Sequence, residues 1–217
     1  MQRALAALFA CAITLSLWSA VPASAQIPAS QKPIRASIDY RVIAPQAVQT
    51  SNNIEVIDFF WYGCPYCNTL QPALERWISR KPADVTVRRI PAVLRDSWAP
   101  HARAYYTLEA LGEVERLHQR AYYSYHVEEL AMSRADALSE WAVRNGIPRE
   151  RWETAYNSAE VQRKVEEAIE LTRAYNVTGT PSLVVDGRYL TSGNMSETLD
   201  GMIQILEGLI YRVRATR

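Results

Sequence analysis

The apolar and polar positions of the chain change rhythm several times, and each change marks an element. Residues Ile54 to Trp61, IEVIDFFW, are β-branched, aromatic and nearly continuous in apolar character, as expected of an interior strand covered on both faces. Behind Gly63 the spacing widens. Cys67, Leu70, Leu74, Trp77 and Ile78 fall on one helical face, and Pro65 lies just inside the helix start, where a fixed φ and a missing N–H are harmless. Asp84 to Ile90, DVTVRRI, alternates as a second strand, and Asp39 to Ala44, DYRVIA, reads as a short one nearer the start.

From Trp98 to Tyr175 the rhythm is helical. Ala102, Tyr105, Leu108 and Leu111 mark one stripe, Gly112 interrupts it, and Val114, Leu117, Ala121 and Tyr125 resume it. Ser133-Arg134-Ala135-Asp136 has the form of a capping box and Asn145-Gly146-Ile147-Pro148 is a stop signal, after which Val161, Val165, Ile169 and Thr172 stripe a further long helix. Ser182 to Val185 and Arg188 to Thr191 form a hairpin about a two-residue Asp186-Gly187 turn. A last amphipathic helix carries Met202, Ile205, Leu206 and Leu209. The order is strand, strand, helix, strand, helical block, hairpin, helix, an α/β arrangement without internal repeats.

Composition narrows this picture at the N-terminus. Arg3, the apolar run Ala4 to Val21 and the small-residue pattern Ala23-Ser24-Ala25 make residues 1–25 read as a secretory signal, which would discard Cys11. Residues 27–38, with two prolines, read as an N-terminal arm that is either loose or ordered on docking. The 24 basic residues less Arg3 leave 23 against 23 acidic ones, so the exported chain is neutral and nothing in its charge argues for nucleic acid. Export also changes how Cys64 and Cys67 are read, because disulfides persist in oxidising compartments.

A disulfide joining Cys64 to Cys67 closes too small a loop to stabilise much. Its placement gives it another use. Cys64 sits at the start of the helix, where unpaired N–H groups and the macrodipole favour a thiolate, while Cys67 lies on the buried stripe. Stabilising that thiolate stabilises the reduced form, so the pair is poised to give its disulfide away. Zinc would need four ligands, and His101, His118 and His126 lack ligand spacing to one another, so no metal or other cofactor is expected. Asp58 interrupts the apolar strand six residues before Cys64. It is either an acid that sees solvent or a buried carboxyl relaying a proton to Cys67. Sequence alone does not assign the isomer of Thr180-Pro181.

Taken together, FFWYGCPYC after an acid-containing strand, the helical block before the last hairpin, and TGTPSLVVDGRY resemble the thioredoxin superfamily, specifically the DsbA branch of bacterial periplasmic thiol oxidases. The resemblance implies a thioredoxin-like fold over residues 26–217 with an all-helical insertion at about 93–173 that caps the active site. It implies Cys64 and Cys67 as the redox-active disulfide and Asp58 in place of the buried acid, usually Glu. It also implies a cis Thr180-Pro181 peptide packed against the disulfide, with Pro65, Tyr66, Thr180 and Pro181 contacting substrate. The implied partners are reduced exported proteins and a quinone-linked, DsbB-like membrane reoxidant, and the implied setting is the periplasm. A monomer is expected, since the short arm leaves no room for a dimerisation domain. One departure stands out: Tyr66 occupies the place commonly held by His, and a Pro-Tyr dipeptide between cysteines is typical of glutaredoxins. The rivals are therefore a glutathione-dependent reductase of that kind and a chaperone-like binding protein with a non-catalytic disulfide.

Overall fold

The computed structural model describes residues 33–50 and 52–217. The signal-like segment, Cys11 and residues 27–32 of the N-terminal arm lie outside the described residues. A five-stranded mixed sheet has the order β1-β5-β4-β2-β3, with β1 at Arg41–Val42, β2 at Ile54–Phe60, β3 at Val85–Pro91, β4 at Ser182–Val185 and β5 at Tyr189–Ser192. β2 and β3 are parallel and the other pairs antiparallel. All seven residues of β2 are buried, as its apolar run requires.

Two layers cover the sheet. On one side α1 (Pro65–Ile78) and α7 (Leu199–Thr216) pack Leu70, Leu74, Trp77, Met202, Leu206 and Leu209 against Val56, Leu183 and Val185. On the other, five consecutive helices lie between β3 and β4: α2 (Ala99–Ala110), α3 (Val114–His126), α4 (Ala135–Arg144), α5 (Arg149–Tyr156) and α6 (Ala159–Ala174). Their core is aromatic, with Phe59, Phe60, Tyr62, Tyr105, Tyr122, Trp141 and Trp152 buried together. Gly112 and Gly146 adopt positive φ (71° and 83°) at the two breaks that punctuate this block. Among the described residues no helix is long and apolar enough to cross a membrane.

Several local expectations change on folding. β1 shrinks to two residues because Asp39 is drawn back to the Arg35 backbone (2.7 Å), closing a turn before it, and Pro45 has no N–H to extend the ladder after it. β3 does not alternate in burial: its central residues are half-buried at the sheet edge, where Arg88 reaches Glu55 and Arg89 reaches Glu75. The capping box is not formed. α4 starts at Ala135 with Arg134 at the cap, and the Asp136 carboxylate pairs with the Arg134 guanidinium instead. The hairpin loop holds three residues rather than two, because Val185 pairs with Tyr189 while the Gly187 and Arg188 carbonyls accept from Gln46 and Ile43. α5 is a separate helix anchored by Trp152, whose ring meets Trp141 edge-on at 6.1 Å.

Candidate active site

β2 delivers the chain into a tight turn, Trp61 to Cys64, closed by the Cys64 N–H donating to the Trp61 carbonyl at 3.0 Å. Gly63 is required there: a Cβ at this position would run into the Trp61 indole. That indole also stacks on Trp98, 3.9 Å away and within 4° of parallel. Cys64 is the N-cap of α1, and its sulfur accepts from the Cys67 N–H at 3.3 Å. It lies 3.2 Å from the Thr180 carbonyl, to which the thiol donates.

Both cysteines are free and buried, yet their environments differ in kind. The hydrogen bond from the Cys67 side chain, joined by the backbone N–H groups of Cys67 and Tyr66, outweighs burial and lowers the Cys64 thiol to about 6. Burial first, then the Cys64 side chain and its charge, raise Cys67 above the ordinary thiol value. One sulfur is held near its thiolate form, the other as a thiol.

Asp58 is 1% exposed, so it is not an acid that sees solvent. By strand alternation it shares the sheet face of Ile54 and Val56. Burial raises its carboxyl to about 7, against the pull of Arg89, while Glu75 adds to the rise. Arg89 is its cross-strand neighbour on β3, but the guanidinium is bonded to Glu75 (2.5 Å), which Gln71 also holds (2.7 Å), and lies 3.7 Å from Glu115. Among the described residues Asp58 Oδ2 has no hydrogen-bond partner.

The Thr180-Pro181 peptide is cis. With Tyr66, Thr178, Gly179, Ser192, Gly193 and Asn194 it lines a groove of about 440 Å³, and Tyr66, 69% exposed, forms one wall. Pro65 occupies the first position of α1. The three histidines are dispersed: His101 packs on Trp61 and Tyr125, His118 Nδ1 meets the Tyr62 hydroxyl at 2.9 Å, and His126 Nε2 donates to the Tyr62 carbonyl at 2.9 Å. Among the described residues no group of three or more His, Cys, Asp or Glu could hold a metal.

Residues 94–204 match the family model of the DSBA-like thioredoxin domain. The chain is 31% identical over 194 residues to the thiol:disulfide interchange protein DsbA of Burkholderia cepacia, covering 88% of this chain and 89% of that protein. It belongs to the DsbA-like thioredoxin family. The DsbA of Pseudomonas aeruginosa strain PAO1 is 32% identical over 176 residues, with 79% and 82% covered. The crystal structure of Pseudomonas aeruginosa DsbA superposes with a TM-score of 0.81 at 29% identity, covering 84% of this chain and 96% of that one. The sheet, α1 and α7 are thus the thioredoxin-like part of a DsbA-like fold, and α2–α6 are its helical insertion. As a DsbA-like protein the chain is a thiol:disulfide oxidoreductase, and neither rival reading is favoured by its relatives.

Four side chains near the DsbA-like site carried no usable signal in the sequence. Arg89 reads only as a polar strand position, Trp98 as the start of a helix, and His118 and His126 only as histidines without metal-ligand spacing. Each reaches the site through a contact far along the chain.

Proposed function

We propose that the chain donates a Cys64–Cys67 disulfide to reduced, newly exported proteins in the periplasm. In the oxidised protein a substrate thiolate attacks the Cys64 sulfur. A mixed disulfide forms, the Cys64–Cys67 bond breaks, and Cys67 leaves with the electron pair. Asp58, whose carboxyl is raised to about 7, protonates the departing Cys67 sulfur. A second substrate thiolate then attacks the substrate sulfur of the mixed disulfide and expels Cys64 as a thiolate. The substrate loses two electrons and becomes a disulfide; the enzyme gains them as a dithiol. The groove beside Tyr66, Thr180 and Pro181 accepts the extended substrate segment, and a quinone-linked membrane partner of the DsbB kind reoxidises the monomeric enzyme.

The observation that carries this reading is the split between the two thiols. A Cys64 thiol lowered to about 6 leaves easily, while Cys67 is raised and returns to the buried neutral state. The test is the equilibrium reduction potential against glutathione. A value near the ~−120 mV of DsbA supports disulfide donation, and one near the ~−270 mV of thioredoxin would make the chain a reductase.

A further inference from the structure

One residue, Tyr62, is held by α3 at both ends. Its hydroxyl meets His118 Nδ1 and its carbonyl receives His126 Nε2, each at 2.9 Å. The carbonyl belongs to the turn that presents Cys64, one residue after the Trp61 carbonyl that closes the turn from within. A carbonyl only accepts, so His126 must carry a proton on Nε2. Its ring is fixed for that bond by Tyr122, near-parallel at 6.4 Å, and by Tyr125, edge-on at 5.1 Å. The chain has no imidazole between its cysteines; the imidazole bonded to this turn comes from the end of α3.

We propose that His126 is a positioning residue for disulfide exchange, its Nε2–H···O=C bond to Tyr62 holding the Trp61–Cys64 turn so that the Cys64 sulfur stays against the first N–H groups of α1. The proposal rests on Cys64 being the attacked sulfur. The physical reason is the directionality of the cap: the Cys67 N–H donates to the sulfur at 3.3 Å, and a hydrogen bond weakens steeply with displacement and misalignment. A turn released on its α3 side lets the sulfur drift from its donors, which makes Cys64 a poorer leaving group. This bond joins the Trp61–Trp98 stack and the Tyr62–His118 contact in linking the helical insertion to the turn, and it is the one that reaches the turn's own backbone between Trp61 and Cys64.

His126→Phe keeps a ring between Tyr122 and Tyr125 without the donor, and His126→Gln keeps a donor without the ring. In His126→Phe the ultraviolet thiolate titration of Cys64 should move to higher pH, and release of Cys64 from its glutathione mixed disulfide should slow roughly fivefold, the factor for one ordinary hydrogen bond. His126→Gln should stay within about twofold of the parent on the same scale. Parent-like titration and rate in folded His126→Phe would overturn the proposal, and so would equal impairment in both variants, which marks a packing role. If His126→Phe fails to fold, nitrogen NMR of the parent decides: a neutral His126 protonated at Nε2 supports the bond, and one protonated at Nδ1 removes it. Alkylation of the reduced parent keeps the two readings apart, because preferential reaction at Cys67 would defeat the role of Cys64 whatever His126 does.

Discussion

Two carboxylates lie three residues apart on β2, each 1% exposed, and they differ in their access to a cation. Glu55 is paired through Oε1, which Arg88 approaches to 3.3 Å and to which the Gln49 N–H donates. Asp58 is withheld from the arginine beside it, because Arg89 is bonded to Glu75 and drawn toward Glu115. For Asp58, burial raises the carboxyl because the cation beside it is already bonded elsewhere and opposes the rise only in part.

The largest expected effect comes from removing the Asp58 charge. Its folded value is raised, so the native state holds the proton more tightly than the unfolded chain does. The cost to stability therefore grows as pH rises from 3.8 to about 7 and is constant above that. The gap corresponds to on the order of 4 kcal/mol. Asp58→Asn should stabilise the fold by ~2–4 kcal/mol at alkaline pH and by little near ~pH 4, read by denaturant unfolding at both, while resolution of mixed disulfides slows.

Glu55→Gln should do the reverse, lowering stability by about 1–3 kcal/mol, since it leaves the half-buried Arg88 without its anion. Unfolding at neutral pH gives the number, and exchange kinetics should match the parent. If Glu55→Gln alters the pH dependence of exchange, the two ends of β2 are not independent.

Arg89→Met sharpens it. Losing the cation that opposes burial should move the Asp58 midpoint further up, by roughly half to one pH unit, seen as the same displacement in the pH profile of mixed-disulfide resolution. An unmoved profile would show that Glu75 had neutralised Arg89 completely.

The smallest effect is expected from Tyr66→His, which touches neither carboxylate. Cys64 is lowered from 9.0 to about 6, so it stabilises the reduced form above the unfolded value, and that gain vanishes as pH falls through about 6. An added imidazolium supplies on the order of 1 kcal/mol at this exposed position, or a few tens of millivolts toward oxidising. Paired glutathione titrations of parent and variant check the sign.

Much of this arrangement is legible in the sequence where it is local. The nearly continuous apolar run of β2, the stripe of α1 and the position of Cys64 at its start follow from neighbours within one or two turns. Asp58 is different. Its strand position is plain, but whether it meets solvent or α1 depends on which face of β2 is covered, and its partner Arg89 is fixed only by the β2–β3 register. His126 and Trp98 reach the site from the insertion through single contacts that carry no periodic signature. The misplaced α4 cap has a similar cause: an ion pair between Arg134 and Asp136 takes the side chain that a capping box needs.

The indole sandwich beside Cys64 has an optical consequence. Trp61 belongs to the turn after β2 and Trp98 to the short 3₁₀ turn that opens the insertion, and their rings lie 3.9 Å apart and nearly parallel. Two identical chromophores at that separation share their excited states, so the pair is a built-in gauge of whether the insertion is seated on the sheet. Its near-ultraviolet circular dichroism belongs to neither ring alone, and it disappears when the two layers part even if every helix in each remains wound.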